Sequence, residues 1–207
     1  MRKCAFSYFA LISIFSILTC LSVSADDTWI NPSGKPVADE RNIKSKDGFG
    51  VQFWFITDKS FFEEWKKTDA YSKEHPVHVP AVNETTRMKE LFPVVLLSWS
   101  EALAGEPCDV TYHLVVKKPD GSIYGDEPDL EGCKGLQISP GKIFMAPDHI
   151  GITIEPQDPL GEYSVIVAVK DHNSGTEIEL SDKFSVHENS RGGASPAYPV
   201  NSNEFEK

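Results

Sequence analysis

Between residues 109 and 187 the side chains alternate with a period of two, and turn residues interrupt the pattern at close intervals. In Asp109 to Lys118, Val110, Tyr112, Leu114 and Val116 alternate with Thr111, His113, Val115 and Lys117. Successive strand side chains point to opposite faces, so the run fits a strand with one buried face. Pro119-Asp120-Gly121-Ser122 ends it. Proline presets the first central φ of a turn and glycine accepts the position that needs φ > 0, which predicts a reversal and a return from Ile123-Tyr124. Further strands are expected at Lys142 to Met145, Ile150 to Glu155, Gly161 to Lys170 and Thr176 to His187, with a hairpin around His172-Asn173-Ser174-Gly175.

Upstream, Phe49 to Ile56 is large on both faces, so both are expected to be covered. Pro93 to Trp99 has the composition of a buried strand. Thr57-Asp58 can cap a short helix that places Phe61, Phe62 and Trp65 at helical spacing and ends near Thr68. Glu74 to Val82 carries two prolines and is excluded from a sheet interior. Met88 to Phe92 is ambiguous. Seven or eight strands and one short N-terminal helix predict an all-β sandwich over residues 48–187.

Asp158-Pro159-Leu160-Gly161-Glu162-Tyr163, followed by Val165, Val167 and Val169, resembles the tyrosine corner of immunoglobulin-like sandwiches. Asp182-Lys183-Phe184-Ser185-Val186 then looks like a terminal strand. The resemblance spans about residues 84–187 and implies a fold without an activity. The run from Asp109 through Pro119-Asp120-Gly121 to Phe184-Ser185-Val186 also looks like uncharacterised exported bacterial proteins with a sandwich domain. Unlike antibody domains, Cys108 stands before a strand and Cys133 falls in an expected loop, so the pair is expected to staple loops rather than bridge the sheets.

The ends suggest an address. Arg2 and Lys3, the apolar run Ala5 to Leu21 and Val23-Ser24-Ala25 have the layout of a secretory signal peptide over residues 1–25. The run is too short for a comfortable membrane span. A lipid-modified Cys20 is the weaker alternative, because Leu18-Thr19 lacks the small residue expected before such a cysteine. Cleavage would leave a polar leader at 26–47, which Trp29 could dock, and a disordered tail at 188–207. It would remove Cys4 and Cys20 and leave Cys108 and Cys133 as one disulfide. The chain has 20 basic and 31 acidic residues, net −11, and loss of Arg2 and Lys3 makes it −13. That balance excludes nucleic acid and disfavours an anionic membrane surface. No membrane span is expected after signal removal.

No catalytic constellation emerges. His75 and His78, with Glu74 as a third group, bring two imidazoles close, but an extended segment turns them to different sides and zinc asks for three or four ligands. Asp126, Glu127, Asp129 and Glu131 form an acidic stretch, expected as a solvated loop from Gly125 to Gly132; it lacks the order of a calcium loop. Ser98 lacks the flanking glycines of a nucleophile elbow. Asp109 and His113 share a strand face but stand too far apart to act together. Asn83-Glu84-Thr85 is a glycosylation sequon, relevant only in a eukaryote. The aromatics Trp54, Phe55, Phe61, Phe62 and Trp65 either complete a core or offer a patch to a partner; Trp54, Phe61, Phe62 and Trp65 are the candidate partner-binding residues. The expectation is an exported, non-catalytic β-sandwich binding an unknown protein or glycan of the cell envelope or secreted fraction, with no cofactor and no metal. Two alternatives remain: a metal-dependent hydrolase using His75 and His78, and a structural accessory domain acting through an edge strand.

Overall fold

The computed structural model describes Trp29 and residues 37–67, 78–103, 105–140 and 142–189. The signal peptide, His75 and the tail from residue 190 lie outside the described residues. Two sheets pack face to face. One contains β1 (Ile43–Lys46), β2 (Phe49–Ile56), β4 (Phe92–Trp99) and β7 (Ile143–Met145), in that order across the sheet. The other has the order β3-β9-β8-β5-β6, from β3 (Glu84–Thr86), β9 (Glu177–His187), β8 (Gly161–Asp171), β5 (Pro107–Lys117) and β6 (Ile123–Gln137). Among the described residues the single α-helix, α1 (Ser60–Lys67), follows β2. The chain is an all-β sandwich; β1 and β3 bring the strands among the described residues to nine.

The alternation places the inner faces. Val110, Tyr112, Leu114 and Val116 of β5 and Tyr163, Val165, Val167 and Val169 of β8 are buried, and they meet Phe49, Val51, Phe53 and Phe55 of β2 in one core. A one-residue slip would turn every one of them to solvent, so the pattern fixes the register. The Lys118 to Ser122 turn closes as its sequence predicts: the Gly121 amide donates to the Lys118 carbonyl at 2.9 Å, and Gly121 has φ +83°. β8 and β9 form the hairpin around Asn173. The Tyr163 hydroxyl donates to the Pro159 carbonyl at 2.8 Å, four residues back, which is the bond that defines a tyrosine corner.

Several expectations change. The acidic stretch Gly125 to Gly132 is not a loop but the middle of β6, whose pairing with β5 is broken by repeated register shifts. Bulges displace residues from the period of two, and an edge strand has few buried side chains to mark it. Cys108 and Cys133 therefore both lie in strands. They form a disulfide between neighbours in one sheet, with Cα atoms 5.8 Å apart, rather than a staple between loops. Residues 150–155 do not form a strand; only Ile152 pairs, in an isolated bridge to Leu91. The leader contributes β1. Asp47-Gly48, with φ +52° and +79°, turns it tightly into β2. Trp29 is buried in the same region.

Candidate functional site

The four-stranded sheet is apolar on both faces. Val95, Leu97 and Trp99 of β4 point into the core, whereas Phe92, Val94 and Leu96 point outward. Ile56 of β2 joins them, and half-buried Trp54, Ile43, Ile143 and Met145 surround them. A two-sheet sandwich requires only its two inner faces to be apolar, so this outer face demands a cover. α1 supplies it. Asp58 caps the helix by accepting from the Ser60 amide at 2.9 Å, and this bond holds its carboxyl below the ordinary range. Phe61 and Phe62 are 3% and 7% exposed and fill the face, while Trp65 packs beside Phe61 with ring centroids 5.8 Å apart. Trp29, Val37 and Val79 complete the cover.

The sequence-predicted aromatics are thus gathered in one place, but not on equal terms. Phe61 and Phe62 are anchors of the cover. Trp54 and Trp65 are half-buried at its rim, and the Trp54 indole N–H donates to Gln52 Oε1 at 3.0 Å.

The segment between β7 and β8 locks this assembly to the second sheet. Ala146 donates to the Val95 carbonyl at 2.9 Å. Two residues on, the Asp148 carbonyl accepts from the Tyr112 hydroxyl at 2.8 Å and its carboxylate from the Glu131 amide at 2.7 Å. Burial, with the Asp148 charge, pushes the Tyr112 hydroxyl well above the ordinary tyrosine range. His149 faces the other way and stacks on Phe62, with ring centroids 3.8 Å apart and planes inclined by 14°. Sequence reasoning missed His149, because nothing local marks a histidine that meets a helix some ninety residues earlier.

A second cluster pins the far end of the same segment. Asp158 accepts from the Tyr124 hydroxyl at 3.0 Å, the Glu155 amide at 3.1 Å and Lys118 Nζ at 3.3 Å. Burial pushes the Asp158 carboxyl up, but these bonds outweigh it and the net direction is down. Burial, then the Asp158 bond, pushes the Tyr124 hydroxyl up to about 12. An unfolded tyrosine ionises near 10. The folded chain therefore keeps a proton that the unfolded chain gives up, and stability is lost as pH rises from about 10 through 12. Urea midpoints measured at pH 9 and pH 11 are expected to fall more for the wild type than for Tyr124→Phe; equal slopes would remove Tyr124 from the alkaline transition.

The remaining candidates are dispersed. His78 is exposed, and its expected partner His75 lies outside the described residues. Among the described residues no group of three His, Cys, Asp or Glu side chains is arranged to hold a metal ion. Ser98 is 2% exposed on β4. His113 pairs across the strands with Asp126 at 2.5 Å instead of with Asp109. It lines a shallow groove with Thr111, Asp129, Ala168, Lys170 and Glu179 on the outer face of the five-stranded sheet. No helix among the described residues is long and apolar enough to cross a membrane.

No family model matches this chain, and no curated protein matches it. Solved structures do. One is a family 123 glycoside hydrolase from Clostridium perfringens, studied for glycolipid glycan hydrolysis, at 15% identity and a TM-score of 0.40; the match covers 70% of this chain but only 28% of that one. Another is the CARDB domain of a Pyrococcus furiosus protein, solved in complex with di-metal ions, at 10% identity and a TM-score of 0.37, covering 73% of this chain and 99% of that one. The sandwich architecture rests on the two sheets described above and not on these distant likenesses.

Proposed function

We propose that this chain is an exported, non-catalytic β-sandwich protein that binds another protein of the cell envelope or secreted fraction through the half-buried aromatic rim around the cover on the outer face of its four-stranded sheet. The observation that carries this reading is the rim of that cover, where Trp54, Trp65, Ile143 and Met145 are only half-buried. Aromatic side chains and Met are enriched at protein interfaces, and truncating one at the centre of an interface removes much of the affinity. The Trp54 N–H is already engaged, so the rim presents apolar area more than the polar reach a glycan requires. The net charge, −11 for the whole chain and −13 without Arg2 and Lys3, favours a partner with a basic rim. A disulfide suits an oxidising compartment.

The edges of the sheets favour docking by a face. β3 and β7 are three residues each, β1 carries Lys44 and Lys46, and β6 carries Pro128 among four carboxylates. Short, charged or proline-bearing edges resist strand addition.

A photo-cross-linking side chain in place of Trp65 is expected to trap a protein that the same group in place of Lys117, on the opposite sheet, does not. With that protein purified, Trp54→Ala with Trp65→Ala should weaken binding roughly 30-fold, the loss of one strong anchor. Affinity unchanged within about twofold would overturn the proposal, as would binding that a glycosidase abolishes.

A further inference from the structure

We propose that α1 is a pH-sensitive cover, held over the outer face of the four-stranded sheet by the His149–Phe62 stack and loosened when that imidazole gains a proton. The device concerns what covers the face, and it holds whether or not a protein docks there.

The helix is eight residues long, too short to persist without packing. Its hold on the sheet is through side chains. Phe62 sits between two rings: Phe92 of β4 meets it edge-on at 5.6 Å with planes at 90°, and His149 stacks on it at 3.8 Å. Phe61 packs against Phe62 and Trp65. Lys59, at the N-terminal end, pairs with Glu90 at 2.7 Å and lies over the Phe92 ring. His149 is thus the clasp from the side of the molecule that Asp148 anchors to the second sheet. Release of the clasp uncovers Ile56, Phe92, Val94 and Leu96, which are at most 4% exposed while the cover is closed.

The charges around His149 set the direction. His149 keeps an exposed side, but the desolvation of the side stacked on Phe62 disfavours the imidazolium, and Lys66 of α1 repels it; Asp148 attracts it but is engaged by the Glu131 amide. The net direction is below the ordinary histidine range. Of the other charges on α1, Glu63 is paired with Lys66 at 2.9 Å, and Glu64 and Lys67 complete the helix; β4 brings only apolar side chains to the contact, and Glu90 is held by Lys59. The aromatic face of Phe62 returns part of the cost of a cation. A histidine with a lowered value is neutral in the folded form, so its contribution is complete above about pH 6.5 and is lost as pH falls through the lowered folded value.

Amide hydrogen exchange, corrected for intrinsic rates, tests the device on the full chain. From pH 7.5 to 5.0 the α1 amides should lose at least tenfold in protection while those of β5 and β8 keep theirs. His149→Phe, which keeps a stacked ring without a titrating group, should hold α1 protection constant. Constant protection in the wild type overturns the proposal, and so does the same loss in His149→Phe. Should that variant fail to fold, the imidazole resonances of the wild type decide: a midpoint below about 6.5 supports the clasp, and one at or above it overturns it. Loss of partner binding in Trp54→Ala with the α1 response intact would leave the clasp standing, whereas a flat α1 response would leave the docking face untouched.

Discussion

Replacing Cys108 and Cys133 together by alanine is expected to lower the unfolding free energy by about 3.5 kcal/mol, because the two stand 25 positions apart and the bridge removes that loop's closure entropy from the unfolded chain. The expected effect is large for a second reason. β6 is the edge of its sheet, and its register against β5 shifts repeatedly, so its ladder is weak where the bridge crosses it. Val110 and Cys133 stand opposite each other, and both bridged cysteines are only 2% exposed. Without the bridge, β6 amides should exchange first and the urea midpoint should fall, with a steeper denaturant dependence as the unfolded chain expands. A loss under about 1 kcal/mol in equilibrium urea unfolding would show that the unfolded chain is already compact around this hairpin.

The parts of the fold that the sequence makes legible are those where one face is buried and the other wet. β5, β8 and β9 obey the period of two almost residue by residue, and Pro119-Asp120-Gly121 fixes the turn between β5 and β6 by the conformations those residues prefer. The start of β6 at Ile123-Tyr124 is legible from that turn, but its continuation through the acidic stretch is not. At a bulged edge the carboxylates point to solvent on more than one side, and Asp129 at φ +57° breaks the alternation. β1 was overlooked although Asp47-Gly48 carries a strong hairpin signal, because Ile43–Lys46 is too short and too charged to show a periodic face. The aromatic cluster could be gathered from sequence, since helical spacing put Phe61, Phe62 and Trp65 together. Its division into buried anchors and a half-buried rim could not. That division depends on β4, on Trp29 and on His149, which come from distant parts of the chain.

The second large effect belongs to Phe184, which joins the two sheets at the centre of an aromatic column. Phe53 meets Phe55 at 4.9 Å, Phe55 of β2 meets Phe184 of β9 edge-on at 5.3 Å, Phe184 stacks on Tyr163 at 5.4 Å, and Tyr163 meets Tyr124 at 5.7 Å. Tyr163 and Phe184 are register partners, so the stack is fixed by the β8–β9 ladder, whereas the contact with Phe55 crosses between the sheets. Phe184 is 1% exposed. Phe184→Ala therefore removes buried area and leaves a cavity that both sheets line, and the expected loss is about 4 kcal/mol. Phe184→Leu keeps most of the volume and should cost about 1.5 kcal/mol. The difference between the two separates the cavity from the ring geometry. A cycle combining Phe184→Leu with Phe55→Leu should give a coupling of about 1 kcal/mol if the edge-on contact matters beyond its area. A domain of this kind has only about 5–15 kcal/mol in total, so Phe184→Ala together with loss of the disulfide should leave little folded protein. A loss under about 2 kcal/mol for Phe184→Ala would mean that the sheets close over the gap, and that the column is not what sets their spacing.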